Sequence, residues 1–205
     1  MKTSYFSVGA LGTNCYIVSD NGRAAIIDPG GDAERILNAV KCNNLTVDYI
    51  LLTHAHFDHI MAVDELCEET GAPVYVGAGD APMLFDANFN LSAMVYPEQA
   101  VERTPDRLLF EGDVVRIGDA TLTVMETPGH TRGSICFVGE DVLFTGDTLF
   151  DGSIGRTDLP GGDMPVLRHS LKRLAELKED YTIYAGHGEQ TTLSFQKKAN
   201  PYLVF

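Results

Sequence analysis

The chain has 205 residues, with 15 Lys and Arg against 29 Asp and Glu, and a formal net charge of −14. Phosphate backbones and anionic lipids are bound by clustered basic residues, so this balance argues against nucleic-acid and membrane-surface partners. No apolar run approaches roughly 20 residues, no signal-peptide pattern is present, and the cysteines form no C-x-x-C pair. We therefore expect a cytoplasmic single domain over residues 1–205 without an obligate protein partner.

Short strands and helices alternate in the first half of the chain. A turn-forming Ser-Asp-Asn-Gly segment separates the first two apolar runs. Asp32 is placed to cap a helix, because the apolar residues after it follow helical spacing. A second helix is predicted over residues 60–70, where Gly71 ends the pattern. Strands are predicted at residues 14–18, 24–27, 47–52 and 74–76.

The second half is richer in strands. Residues 77–106 contain few periodic runs and are predicted to form a surface excursion with one short helix. An apolar stripe of leucines then predicts an amphipathic helix that begins after residue 163. Because both halves combine strands with helices, we expect sheets on the inside and helices on the outside. The remaining predicted elements are strands at 121–126, 134–138, 142–145 and 181–184, and a helix at 191–199.

Five of the six histidines fall in loops that directly follow predicted strands. Loops that leave neighbouring strand ends can converge on one point although their residues are distant in sequence. Imidazole and carboxylate together suit zinc, iron or manganese. By contrast, His169 lies off the leucine stripe of its helix and is predicted to be a surface residue. The candidate ligands are His54, His56, Asp58, His59, His130, Asp147 and His187.

The spacing of these residues predicts two neighbouring metal sites. Two residues apart in extended backbone, His54 and His56 project to the same side and can bind one ion. The chain then turns into a helix, which allows Asp58 and His59 to face a second ion. We expect one later histidine to complete each site and Asp147 to bridge them. A structural zinc site is closed and usually has four ligands, so seven candidates favour a catalytic centre.

The order and context of these residues resemble the metallo-β-lactamase superfamily. The resemblance rests on H-A-H-F-D-H at residues 54–59, T-P-G-H-T at 127–131, F-T-G-D-T-L-F at 144–150 and G-H-G at 186–188. It implies an αβ/βα four-layer sandwich, in which helices cover two mixed β-sheets and a dinuclear site lies at one sheet edge. The segment G-R-T-D-L-P-G-G-D at 155–163 more narrowly resembles short, single-domain glyoxalase II-like hydrolases.

This resemblance implies hydrolysis of a small thioester of the S-lactoylglutathione kind by a metal-bridging hydroxide. The implied cofactors are two divalent ions, with zinc expected first and iron or manganese as alternatives, and Asp58 would also orient the hydroxide. Glyoxalase II enzymes have a further C-terminal helical domain with basic residues for glutathione. Since this chain ends about one helix after His187, glutathione specificity is not expected.

Two questions stay open from the sequence. The superfamily includes persulfide dioxygenases with one non-haem iron, for which the ligands here would be His54, His130 and Asp147. Separately, Arg156 is a candidate anchor for a substrate carboxylate, although pairing with Asp158 is the favoured interpretation. Hydrolysis of β-lactams is disfavoured, because the chain is short and carries no secretion signal.

Overall fold

The computed structural model describes residues 1–204, apart from the side chain of Gln99. Its first sheet has six strands that pair in chain order. The first three strands pair antiparallel and the third to sixth pair parallel, so the sheet is mixed. These strands are β1 (Lys2–Val8), β2 (Thr13–Asp20), β3 (Arg23–Ile27), β4 (Thr46–Leu52), β5 (Val74–Gly77) and β6 (Arg107–Leu109).

The second sheet also has six strands and is also mixed. Its strands are β7 (Val114–Ile117), β8 (Ala120–Glu126), β9 (Ile135–Val138), β10 (Val142–Gly146), β13 (Thr182–Ala185) and β14 (Thr191–Thr192). They pair in the order β14–β13–β10–β9–β8–β7, and only the pair of β10 with β13 is parallel among them. A small hairpin, β11 (Leu149–Phe150) with β12 (Ser153–Ile154), follows β10 in the chain.

The helices are short, and the longest contains 12 residues. Within residues 1–204, no helix has the length and apolar character needed to cross a membrane. Single 3₁₀ turns lie at Ala78–Asp80, Pro97–Gln99 and Pro201–Leu203. The α-helices are α1 (Ala33–Cys42), α2 (Phe57–Ile60), α3 (Val63–Thr70), α4 (Ala81–Phe85), α5 (Ser92–Val95), α6 (Met164–Ala175) and α7 (Leu193–Ala199).

Buried apolar side chains form three clusters that define the layers. Between the sheets, Leu51 of β4 belongs to the same cluster as Phe137 and Phe144 of the second sheet. A second cluster joins the outer face of the first sheet to α1 and α3, and a third joins the second sheet to the leucines of α6. This arrangement confirms the predicted four-layer αβ/βα sandwich with two mixed sheets. The boundaries of a single domain over residues 1–205 remain a prediction.

Several local predictions differ from the structure. The helix predicted over residues 60–70 begins only at Val63 of α3, and a separate short helix, α2, ends at Ile60, because the backbone N–H of Ala62 donates to Pro29 O outside the helix, at 3.0 Å. Strand β1 was not predicted, since its residues are mostly exposed and lack clear alternation. The excursion at residues 77–106 contains α4 and α5 where one short helix was expected.

Candidate metal centre

The strands bring the predicted ligands together from distant parts of the chain. His54 follows the end of β4, whereas Asp147 and His187 follow the ends of β10 and β13. These last two strands are parallel neighbours, and Gly186 N–H donates to Gly146 O at 2.8 Å. Their carboxyl ends therefore lie side by side. As the sequence predicts, loops that leave neighbouring strand ends converge on one point.

Three histidines form the first group, which we call the three-histidine group: His54, His56 and His130. A ligand atom of each lies within 4.8 Å of the others, and all three side chains are buried. Nδ1 of His56 is 2.9 Å from Nε2 of His130. The extended backbone between the first two residues places their rings 4.9 Å apart, edge to face. This group can therefore present three imidazole nitrogens to one ion.

The second group consists of Asp58, His59 and His187, whose ligand atoms also lie within 4.8 Å of one another. Oδ2 of Asp58 is 3.1 Å from Nε2 of His187 and 3.6 Å from Nε2 of His59. The first two of these residues belong to α2, so its opening turn aims both at the same point. His187 has the most exposed side chain of the group, at 28%, so the centre opens to solvent on its side.

Asp147 lies between the two groups. Its Oδ2 is 3.6 Å from Nε2 of His130 and also 3.6 Å from Nε2 of His187. Its other oxygen, Oδ1, is 3.4 Å from Nε2 of His59. One carboxylate therefore reaches a histidine of the first group and both histidines of the second, which is the placement that a bridging ligand requires.

Several buried polar atoms in this centre find no hydrogen-bond partner within the described part of the chain. They include Nε2 of His54, Nε2 of His56, Nε2 of His59 and Oδ1 of Asp147. Burying a polar atom without a partner is costly, so protein interiors rarely contain several together. Their convergence fits a site that is completed by a metal ion.

The charge state of the three-histidine group also suits metal binding. Desolvation lowers the pKa of the buried His54 imidazole, and the charge on His59 lowers it further. Desolvation and the neighbouring His130 together lower the pKa of His56 to about 3. Both rings are therefore neutral, which is the form that coordinates a metal ion.

The second group is ionised instead. Burial opposes a charge on His59, but the carboxylates of Asp58 and Asp147 hold its pKa well above the usual value. Burial also opposes the charge on Asp58, yet His59 and a hydrogen bond from His187 hold the pKa of Asp58 below its usual range. A protonated imidazole thus balances the buried carboxylates. A divalent cation would displace the proton and supply positive charge in its place, so these residues fit a metal ion.

A family model described as the metallo-beta-lactamase superfamily matches residues 8–187. This chain belongs to the metallo-beta-lactamase superfamily. "Probable metallo-hydrolase YqgX" of Bacillus subtilis is 38% identical and is covered over 98% of its length by 99% of this chain. "Hydroxyacylglutathione hydrolase GloC" of Haemophilus influenzae is 36% identical, with 99% of this chain covering 98% of it. The chain is therefore similar over nearly its whole length to metal-dependent hydrolases.

Solved structures of the superfamily match the fold closely. The "BLEG-1 B3 metallo-beta-lactamase" is 38% identical, with a TM-score of 0.93 and full coverage of both chains. "TTHA1623 in a di-iron-bound form" is 37% identical, with a TM-score of 0.87, and 98% of this chain covers all of it. One similar fold therefore carries a lactamase name and another carries two irons, so the fold alone does not select a substrate.

Sequence reasoning missed the residues that hold the second group in place. Asp28 lies 3.0 Å from Nδ1 of His59 and accepts hydrogen bonds from both the backbone N–H and the hydroxyl of Thr53. Thr13 donates its hydroxyl to Oδ2 of Asp58 at 3.1 Å. Asn14 donates to the carbonyl oxygens on either side of the His187 loop, at 3.0 and 2.9 Å. Of these residues, only Asp28 could have been identified from the sequence, because it directly follows a predicted strand, as the ligand loops do.

Arg156 contributes to the centre through its backbone. Its guanidinium pairs with Asp158 at 2.6 and 2.7 Å, and that bond holds the pKa of the Asp158 carboxyl at about 2. Its carbonyl oxygen lies 2.8 Å from Nδ1 of His130 and can orient that ring. The pairing of Arg156 with Asp158 that the sequence favours is present, and a role of Arg156 in substrate binding remains a prediction.

The surface position predicted for His169 is confirmed.

A cleft of about 200 Å³ lies beside Asp58. Its lining includes Leu11 of the turn between β1 and β2 and Tyr96 of the 77–106 excursion. Phe57 and Met61 also line the cleft, and no Lys or Arg is among the described lining residues. This cleft can contact an apolar part of a substrate, but its lining offers no cation to a carboxylate.

Proposed function

We propose that this protein is a metal-dependent thioester hydrolase that acts on small substrates of the S-lactoylglutathione kind. The observation that carries the proposal is the position of Asp147, whose carboxylate reaches both ligand groups. Two complete groups that share one carboxylate suit two ions acting on one small substrate. The similarity to a protein named hydroxyacylglutathione hydrolase supports a thioester over other hydrolase substrates.

We further propose that each ligand group holds one divalent ion and that Asp147 contributes to both. Zinc is the expected metal because imidazole and carboxylate ligands suit it, and iron or manganese suits the same donors. Divalent ions held by these residues would lower the pKa of a bound water towards about 7 and would polarise the carbonyl oxygen of the substrate. The similar protein with two irons supports a count of two ions.

The chain's own residues then orient the reactants. Asp58 is fixed by the Thr13 hydroxyl, and its low pKa keeps it ionised at neutral pH. An ionised carboxylate in this position accepts a hydrogen bond from the attacking water and so orients it towards the substrate. The leaving thiol has a pKa near 8.5, so it departs as a thiolate and requires no general acid from the protein. This fits a centre with no separate nucleophile among the proposed residues.

The partner that this activity requires is a small-molecule thioester. We further propose, as predicted from the sequence, that the protein acts in the cytoplasm without nucleic acid, a membrane or an obligate protein partner. The cleft beside Asp58 supports a substrate whose group next to the thioester is uncharged, because its lining residues include no Lys or Arg.

Hydrolysis of S-lactoylglutathione by purified protein of measured metal content tests the proposal. We expect release of glutathione with two ions per chain, and little hydrolysis of a β-lactam at the same enzyme concentration. Oxygen uptake with glutathione persulfide by protein that holds one iron would replace the proposal with the dioxygenase alternative. Absence of thioester hydrolysis from protein with both ions bound would refute it.

A further inference from the structure

A fully buried carboxylate lies next to the centre without belonging to either ligand group. Asp80 ends the 3₁₀ turn Ala78–Asp80 that follows β5, and its exposed fraction is 0%. Burial raises the pKa of this carboxyl, and hydrogen bonds from its neighbours oppose that rise. Burying a carboxyl group costs free energy unless hydrogen bonds compensate for the lost water, so the contacts of Asp80 require an explanation.

All three hydrogen bonds to Asp80 come from the loops that carry the three-histidine group. Oδ2 accepts from the backbone N–H of Ala55 at 3.1 Å and from the hydroxyl of Thr131 at 2.7 Å. Oδ1 accepts from the backbone N–H of Gly133 at 2.7 Å. Ala55 separates His54 from His56, and Thr131 directly follows His130. One carboxylate therefore connects two loops that are about 75 residues apart in sequence.

The fit around this carboxylate is tight. A Cβ atom added at Gly133 would lie 2.8 Å from Oδ1 of Asp80 and would also clash with its backbone nitrogen. A Cβ added at Gly79 would lie 2.8 Å from the Cα of Gly133. Because the backbones of the two segments are in direct contact, the carboxylate cannot move without moving the loop that carries His130.

The second ligand group is supported by different residues. His59 lies against Asp28, and Asp58 is held by Thr13. No described hydrogen bond joins Asp80 to any residue of the second group. Asp28 also accepts two hydrogen bonds from Thr53, whose hydroxyl lies 3.2 Å from Nδ1 of His54, so Asp28 contacts both groups, whereas the contacts of Asp80 are confined to the loops of the three-histidine group.

We propose that Asp80 is a positioning residue that holds the three-histidine group in its metal-binding geometry and thereby sets the affinity of that group alone. It contacts no metal and no substrate, and it acts through the backbones beside His54, His56 and His130. The inference rests on the proposed function only in requiring an ion at this group, and it does not depend on which substrate is hydrolysed.

Asp80→Asn is the direct test. Asparagine keeps the size of the side chain but replaces one acceptor oxygen with a donor, which then faces an N–H or O–H donor. Asp106→Asn is the matched control, because Asp106 also accepts a backbone N–H, from Val74 at 2.8 Å, but touches neither ligand group. His56→Ala and His187→Ala serve as references for loss of each site.

Metal-loaded full-length protein is challenged with a chromophoric chelator, and the release of each ion is recorded. We expect Asp80→Asn to lose affinity for one ion by about 10- to 100-fold, the range typical when an outer partner of a ligand is removed. That ion should be the one weakened in His56→Ala, while the ion weakened in His187→Ala stays as tightly bound as in the wild type. Asp106→Asn should retain both ions.

Thr131→Val provides a milder test if Asp80→Asn does not fold. It keeps the shape of the side chain and removes the hydroxyl that donates to Asp80 and that also lies 2.6 Å from the Ser134 hydroxyl in the same loop, so we expect a selective loss of about three- to tenfold at the same ion. Equal weakening of both ions, or no weakening of either, would overturn the inference. Wild-type protein that holds both ions but hydrolyses no thioester would refute the proposed function and leave this inference standing.

Discussion

Asp58→Asn should separate catalysis from folding in this protein. In the metal-free state, the Asp58 carboxylate offsets the charge of His59 and pairs with His187 at 3.1 Å, so its removal weakens both pairings. However, His59 retains Asp28 at 3.0 Å and Asp147 at 3.4 Å. The substitution also relieves repulsion between Asp58 and Asp147. The lost pairing of Asp58 and the relieved repulsion with Asp147 therefore oppose each other. We expect the free energy of unfolding of the metal-free protein to change by less than about 1 kcal/mol.

For a chain of this size, 1 kcal/mol corresponds to a change in Tm of about 2–4 °C. Turnover should respond far more strongly, because the amide is a weaker metal ligand and cannot accept a proton from water. We expect kcat/KM for S-lactoylglutathione to fall at least about 100-fold, the scale observed when a catalytic electrostatic or acid–base group is lost.

Calorimetry of the metal-free forms and steady-state kinetics of the metal-loaded forms measure the two effects. Asp106→Asn is the control in both assays and should leave kcat/KM within about twofold, because surface substitutions away from the site are usually small in effect. Near-normal turnover in Asp58→Asn would refute the role of this residue. A fall of about 10 °C or more in the Tm of the metal-free protein, which corresponds to a loss of about 3 kcal/mol in the free energy of unfolding, would instead show that the charge of Asp58 supports the fold.

Three further outcomes follow from the arrangement of the centre. Metal analysis of saturated protein should find two ions per chain, and a metal-loaded structure should show them about 3.5–4 Å apart with Asp147 between them. One ion per chain at saturation would contradict this. Chelation should lower Tm by about 8–16 °C for each ion removed, since each ion at about 1,000 times its Kd stabilises by about 4.1 kcal/mol, and an unchanged Tm would argue against ions in the native protein. Replacing the glutathione of the substrate with a smaller thiol should change kcat/KM by less than about tenfold, because the described lining of the cleft beside Asp58 offers no cation to the carboxylates of glutathione. A loss of about a thousandfold would reveal a dedicated glutathione site.

The sequence could predict the position of the ligands because each ligand loop follows a recognisable strand. The apolar run before His54 and the one before His187 end where β4 and β13 end, to within one residue. Because β10 and β13 are neighbours in the second sheet, the convergence of Asp147 and His187 follows from topology, whereas bringing His54 of the first sheet to the same point depends on how the two sheets pack. The layer order was equally accessible, because leucine spacing marks α6 and continuous apolar runs mark the buried strands.

The supporting residues could not be predicted in the same way. Asp80 lies in an irregular segment, and its partners Ala55 and Thr131 are 25 and 51 residues away. Nothing in local spacing identifies such a contact, because it depends on how two loops approach after the sheets have packed. The exposed strand β1 was missed for a related reason, since its pairing with β2 and not its own pattern makes it a strand.

Two glycines explain why the backbone around the ligands has its particular sequence. A Cβ added at Gly30 would overlap the backbone carbonyl oxygen of Asp58, and one added at Gly155 would overlap that of Asp147. Each glycine therefore allows a neighbouring loop to approach directly against the backbone of a ligand. Such contact restricts the position of the carboxylate without using its oxygens, which remain available to an ion. The glycines beside the ligands, like the buried Asp80, thus serve to hold the metal-binding geometry from behind.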